Sequence, residues 1–240
     1  MTKLGPHGHL DVLGSIPVEY RQAILEQCAK RRYKKGEVVW HQGDPADHVG
    51  FLIQGKAIST YASPNAKIGV TGFWSAGDIL GAADLGTSNV RQMTVRCLAD
   101  SVVFTLAVGR FFEISRRFPE VAQAVIKALS IRLRWVAHLA LTLETQNTFG
   151  RLCFTLLALC DTFPREHEEG VLIDVSVTNE LLAAIVGVSR QFANITLHEL
   201  QSGGLIKLKN RKIIVLDREG LLQVASQNSR DGSNLQLRPN

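Results

Sequence analysis

Arg190, Gln191 and Asn194 are long polar side chains gathered at the head of one helical stretch. Arginine matches the O6 and N7 acceptors of guanine, and glutamine or asparagine matches the N6 and N7 of adenine. Ser189 stands just before them as a helix cap, and the pattern runs on to about Ser202, with Phe192, Ile195, Leu197 and part of Leu200 as its apolar side. A shorter amphipathic stretch precedes it, opening at Thr178 and carrying Leu181, Leu182, Ile185 and Val186. Gly187 supplies a sharp turn between the two, and Val188 can plug that turn into a core. Residues 205–216 then alternate as two short strands around Asn210, and they carry Lys207, Lys209, Arg211 and Lys212. Four cations on one hairpin can neutralise phosphates. Between 189 and 212 five cations stand against Glu199 alone, a local charge of +4. The pattern predicts a helix-turn-helix with a basic wing that reads DNA. The plainer alternative is two packed helices with a solvated face.

Other chemistry-bearing spacings fail on inspection. Residues 50–56, GFLIQGK, have the glycine and lysine spacing of a phosphate loop, but Ala57 replaces the Mg²⁺-binding hydroxyl and no helix pattern follows. His41 and His48 are seven apart across a Gly-Asp-Pro turn, which does not suit a metal cupin. No nucleophile elbow or catalytic carboxylate pair is present, so neither catalysis nor a metal site is expected. Cys28, Cys97, Cys153 and Cys160 form no CxxC pair and fit reduced thiols. Cys153 and Cys160, seven apart on one helix face, read as core residues, with a redox pair as the alternative.

These residues need elements to hold them. The 45% hydrophobic and 20% charged fractions suit a folded chain, and no apolar run approaches the roughly 18 residues that span a bilayer. The N-terminus has no apolar signal core, so a cytoplasmic protein is expected. Net charge is +5, all of it in residues 1–146, where 17 Lys and Arg face 12 Asp and Glu; residues 147–240 carry 10 of each. The basic face of the second half must therefore arise by clustering, with Asp161, Glu166, Glu168 and Glu169 expected elsewhere on that domain.

Residues 16–31 read as a helix. From 33 to about 110 short β-rich runs alternate with turns, which predicts an antiparallel sandwich or barrel. No proline or glycine occurs between Pro119 and Gly150, and Val125, Leu129, Val136, Leu139 and Leu143 recur at heptad steps, with Arg132 in the same series. Those six positions are the expected seam of a parallel homodimer; packing on the helix's own domain is the alternative. Asn147 reads as the cap of a second helix whose apolar face is Leu152, Leu156, Leu159 and Phe163. Residues 164–170 read as a charged loop, 171–177 as a strand, and the C-terminal end as a polar tail.

With GVSRQFAN followed by LIKLKNRKIIVLD, the chain resembles the Crp/Fnr family of bacterial transcription regulators. Residues 36–57 are similar to that family's β-roll signature, and 77–85 with 90–97 to its phosphate-binding cassette. The resemblance, over about residues 16–225, implies an α+β chain: an antiparallel, cyclic-nucleotide-binding-like β-roll at 1–117, a dimerisation helix at 118–146, a winged helix-turn-helix at 147–225 and a flexible tail at 226–240. It further implies a homodimer that reads a palindromic promoter site, contacts RNA polymerase and has no membrane partner. Thr178 matches a phosphate-contacting position, while Ser189, Arg190 and Gln191 match the start of the recognition helix, with Arg190 on guanine. Gln191 stands where many relatives carry Glu, and Ile195 where many carry a second base-reading Arg.

The resemblance also marks an effector pocket at Gly81, Ala82, Ala83, Arg91, Gln92 and Val136. Cyclic-nucleotide-binding relatives place a Glu after the first glycine, a hydroxyl residue after the arginine, and hydroxyls on the long helix. Here Ala82 and Ala83 follow Gly81, Gln92 follows Arg91, and Val136 and Ala137 occupy the helix positions; Asp84 is near but out of register. Cyclic AMP is therefore not expected, and Arg91 reads as a structural cation or the anchor of another anion. Cys28 alone cannot hold the iron–sulfur cluster of oxygen-sensing relatives, while His41, His48 and His138 remain candidate haem ligands. The effector is left unknown. A β-roll adaptor that binds proteins but no specific DNA is the competing function.

Overall fold

Apolar alternation in the β-rich stretch resolves into two four-stranded antiparallel sheets. The computed structural model describes residues 11–65, 68–210 and 212–227, and the chain divides into two units, through Arg134 and from Trp135. In the first unit, α1 (Val18–Leu25) precedes β1 (Ala29–Tyr33), β2 (Val38–Trp40), β3 (His48–Gln54), β4 (Lys56–Ala62), β5 (Ile68–Ser75), β6 (Ile79–Leu80), β7 (Thr94–Cys97) and β8 (Ser101–Ala107). One sheet runs β1-β8-β3-β6 and the other β2-β7-β4-β5, so every connection except the β4–β5 hairpin crosses between sheets, as in a roll. Trp40, Leu52, Ala57, Leu80, Val95 and Val103 form a core drawn from both sheets. Opposite faces of the same strands send Val49, Phe51, Ile79 and Leu106 into a second core with Ile24 and helical residues. That division follows from the two-residue period of a strand.

Two local expectations change here. The helix read over 16–31 ends at Leu25, and Ala29–Tyr33 instead pairs with β8 from Ala29 opposite Thr105 to Tyr33 opposite Ser101. This edge strand is largely exposed and rich in Lys and Arg, a composition that deters edge-to-edge pairing but hides the strand from a hydrophobicity reading. A helix α2 (Val108–Arg117), not anticipated from the sequence, then carries Phe111 and Ile114 into the core.

Helix α3 (Pro119–Thr145) has two apolar faces, and they do different work. Val121, Ala124 and Val125 are buried in the first unit's own core. Arg132 turns back to that unit as well: its guanidinium stacks 3.9 Å from the Trp74 ring and pairs with the buried Asp78 at 3.2 Å. Val125 and Arg132 are therefore not free for a seam with a second chain, and Leu139 is only half-exposed. The exposed face holds Ile126 (61%), Leu129, Leu133 (70%) and Val136, and Ala140 continues it. Their 3-4-3-4 spacing is itself a heptad pattern, shifted from the expected one at alternate positions. The Leu143 side chain lies outside what the structure describes.

The second unit adds α4 (Thr148–Thr162), β9 (Pro164–His167), β10 (Gly170–Ile173), α5 (Asn179–Val186), α6 (Arg190–Ser202), β11 (Ile206–Lys209), β12 (Lys212–Val215) and α7 (Arg218–Gln227). Asn147 caps α4 by accepting from the Gly150 amide at 3.0 Å. Its sheet runs β11-β12-β10-β9, so the charged segment read as a loop at 164–170 is partly a paired edge strand. Residues 174–177, read as the continuation of a strand, lie outside β10. Ser226 and Gln227 are helical, so the expected tail does not begin at 226; residues 228–240 lie outside the described residues.

Candidate nucleic-acid interface

Helices α5 and α6 are each fixed at the N-terminus by a hydroxyl. Thr178 Oγ1 accepts from the Leu181 amide at 3.1 Å, and Ser189 Oγ accepts from the Phe192 amide at 3.1 Å. Each cap uses a lone pair and leaves the hydroxyl proton available to a phosphate oxygen. Gly187 ends α5 at φ 74°, a left-handed conformation in which a side chain would be strained. Leu182, Val186, Ala193, Thr196, Leu197 and Leu200 are buried along the two helices. Ile195, read as part of the apolar side, instead stands 48% exposed. It shares the outer face with Arg190, Gln191, Asn194 and His198, all exposed.

The wing follows directly. β11 and β12 pair from Ile206 opposite Val215 to Lys209 opposite Lys212, and Asn210 makes the turn at φ 51°. Arg211 lies outside the described residues. Both helix N-termini and the wing surround a hollow of about 510 Å³ lined by Thr178, Asn179, Glu180, Arg190, Lys209 and Lys212, among others. Two helix N-termini and three cations stand around this concavity against the one carboxylate of Glu180 among its described lining, a balance that favours an anionic occupant.

The charge balance of this face differs from its sequence reading. Arg190 Nη1 lies 2.9 Å from Glu180, Lys207 Nζ 2.6 Å from Glu169, and Lys212 Nζ 2.9 Å from Asp174. Glu169, expected elsewhere on the domain, stands in the turn between β9 and β10 within reach of the wing, and the Lys207 hydrogen bond holds its carboxyl below the usual range. Lys209 alone among these described cations has no acidic partner within ion-pair distance. A polyphosphate arriving here exchanges carboxylates for phosphates rather than meeting bare cations. Nothing in the linear sequence marks these pairs, because the acids lie 10 to 38 positions away.

The pocket residues of the roll form a closed cluster. Arg91 is 1% exposed, and Nη1 lies 3.3 Å from Asp84 Oδ2. Its Nη2 donates to the His48 carbonyl, and its guanidinium lies 3.9 Å from the Trp40 ring centroid. Gly81, at φ 76°, makes room: a Cβ there would fall 2.4 Å from Arg91 Nη1. Ala82 to Asp84 form a 3-10 turn that brings in the Asp84 carboxylate. Asp84, out of register in the sequence, is thus in reach through the turn. Gln92 bonds Ser88 Oγ at 3.0 Å and the Val90 carbonyl at 3.3 Å. Val136 belongs to the second unit.

These residues do not fit a cyclic nucleotide. The buried Arg91 of this cluster already holds a carboxylate, and Ala82 and Ala83 offer no ribose acceptor. His48 Nδ1 bonds Asp47 at 2.5 Å, the His138 side chain lies outside what is described, and no cluster of metal ligands occurs among the described residues. Cys97, Cys153 and Cys160 are buried and free. No helix of the described residues is long and apolar enough to cross a membrane.

Comparison with known proteins matches the two halves separately. Residues 30–118 match the cyclic nucleotide-binding domain family, and residues 150–224 match the Crp-like helix-turn-helix domain family. The chain is 24% identical over 203 residues to the cAMP-activated global transcriptional regulator Vfr of Pseudomonas aeruginosa, covering 82% of this chain and 94% of that one. It is 42% identical over 79 residues to the lactate racemization regulatory protein of Lactiplantibacillus plantarum, 32% of this chain and 36% of that one. Among solved structures, the c-di-GMP responsive global regulator CLP of Xanthomonas campestris superposes with a TM-score of 0.72 at 23% identity, covering 82% of this chain and 98% of that one.

Proposed function

Since this chain belongs to the Crp/Fnr family of DNA-binding transcription regulators, we propose that it reads a palindromic promoter site as a cytoplasmic homodimer, with Arg190 on a guanine of each half-site. The observation that carries this reading is the head of α6: Arg190 opens the helix at the rim of a hollow also lined by Lys209 and Lys212. Gln191 and Asn194 share the exposed face and face neighbouring bases, while Thr178, Ser189, Lys207, Lys209, Arg211 and Lys212 hold phosphates. Ile195 presents an alkyl surface suited to a thymine methyl group. Residues 1–117 are the regulatory domain, 118–146 the dimer helix and 147–225 the reading domain. The dimer seam is the exposed stripe Ile126, Leu129, Leu133, Val136 and Ala140. RNA polymerase is the partner at the promoter.

Regulation differs from that of the cyclic-nucleotide-activated relatives. Asp84 occupies the partner position that an effector phosphate would take on Arg91, so the roll does not answer to cyclic AMP. The test of the main reading is selection of a preferred duplex from a random pool, followed by binding with Arg190→Ala. Loss of about 1–3 kcal/mol on the selected site with little loss on unrelated DNA is expected. Equal losses on both remove the base contact.

A further inference from the structure

The first helix of the motif touches the recognition helix through its polar side chains as well as its core. Glu180, in the first turn of α5, pairs with Arg190 Nη1 at 2.9 Å, and both side chains are exposed. Beside it, Asn179 Nδ2 donates to Asn194 Oδ1 at 2.9 Å. The two exposed polar residues of α6 one helical turn apart, Arg190 and Asn194, are thus each held by a neighbour on α5. We propose that Glu180 is a specificity-determining positioning residue: it clamps one end of the Arg190 guanidinium so that the other edge is aimed at a guanine. This rests on the reading of Arg190 as a base contact.

The geometry carries the argument in three steps. A guanidinium has five N–H donors in a planar fork and can present more than one two-donor edge. Glu180 engages Nη1, which leaves the edge made by Nη2 and Nε for the O6 and N7 of a guanine. A free arginine loses much rotamer freedom when it binds a base, and one already held loses less. The Glu180 carboxylate also stands in the same hollow as Lys209 and Lys212, where it repels phosphate. Both effects act in one direction, since clamping favours the correct base and repulsion penalises DNA that supplies only phosphates. Asn179 holds Asn194 in the same manner.

The experiment uses the full-length protein and the duplex selected in the preceding test, with each guanine of a half-site replaced in turn by 7-deazaguanine, which lacks the N7 acceptor. Wild type is expected to lose affinity at one guanine. In Glu180→Gln, which keeps the side-chain shape, that loss should shrink by roughly three- to tenfold while affinity for unrelated DNA rises. In Arg190→Ala the loss should vanish. If Glu180→Gln retains the full 7-deazaguanine penalty while Arg190→Ala abolishes it, the clamp is overturned and the base contact stands. If Arg190→Ala retains the penalty, or wild type shows none, the base contact fails and the clamp fails with it. A Glu180→Gln variant that merely disturbed folding would weaken binding to both duplexes alike and shift the thermal melt, which also overturns the proposal.

Discussion

Asp84→Ala should destabilise the roll strongly, because it leaves a buried guanidinium without its ion-pair partner. Arg91 is 1% exposed and Asp84 nearly as buried, at 3.3 Å. At an effective dielectric constant of about 20, two unit charges at that distance attract by about 5 kcal/mol before the cost of taking them out of water. Breaking one partner of a buried pair costs about 3–5 kcal/mol. The Trp40 ring and the His48 carbonyl remain after the substitution, which favours the lower end, about 3 kcal/mol. Arg91→Met leaves Asp84 unpaired and should cost a similar amount. The double variant Asp84→Ala/Arg91→Met should cost clearly less than the two single losses together, with a coupling of about 2–3 kcal/mol. Urea unfolding followed by tryptophan fluorescence measures this, since Trp40 lies against the guanidinium. Sulfate or phosphate should stabilise Asp84→Ala more than wild type, because only the variant has an unfilled anion position beside Arg91 in the roll. A cost below about 1 kcal/mol for Asp84→Ala, or additive single variants, refutes a structural pair. Stabilisation of the wild type by cyclic AMP refutes the assignment of Asp84 as the internal anion.

Leu133→Glu should convert the proposed dimer to monomer in sedimentation velocity while circular dichroism stays unchanged, because Leu133 is exposed in the single chain. Val125→Ala should instead lower stability by about 2–3 kcal/mol through loss of two buried methyl groups and leave the assembly intact; the reverse pattern would restore the original seam. Lys209→Ala should weaken binding to every duplex and lower the salt slope by about one per subunit, whereas Lys207→Ala, which frees Glu169, should weaken binding more than its charge alone explains. Burial raises the Cys28 and Cys160 thiols from 9.0 to about 11 and Cys153 further. A raised thiol favours folding fully below the unfolded value and loses that contribution as pH rises, so the urea midpoint should fall between about pH 9 and 11. Ellman titration at pH 7.5 should find these thiols slow until the chain is unfolded, and fast reaction of Cys153 would contradict its burial.

Where a residue's role depends on its near neighbours, the sequence was enough. Ser189, Gly187 and Asn147 act within three or four positions of themselves, as caps and a turn, and the structure has them so. The wing hairpin around Asn210 is equally local. The helix read over 16–31 was cut short because β8, more than 70 positions away, recruits Ala29–Tyr33 as an edge strand. Helix α3 shows the limit of periodicity. A 27-residue helix with two apolar faces satisfies two heptad readings, and only burial in the core that also holds Phe111 and Ile114 decides that Val125 is interior and Ile126 exterior.

By itself the sequence determined that a β-rich half precedes a helix-turn-helix, and which residues head the second helix of that motif. Each of these depends on residue type at short spacing. Tertiary structure alone decided which charges meet. Glu180 with Arg190, Glu169 with Lys207, Asp174 with Lys212 and Asp84 with Arg91 are pairs made by chain reversals and sheet pairing. Coulomb attraction depends on distance in space and on burial, and neither quantity is written along the chain.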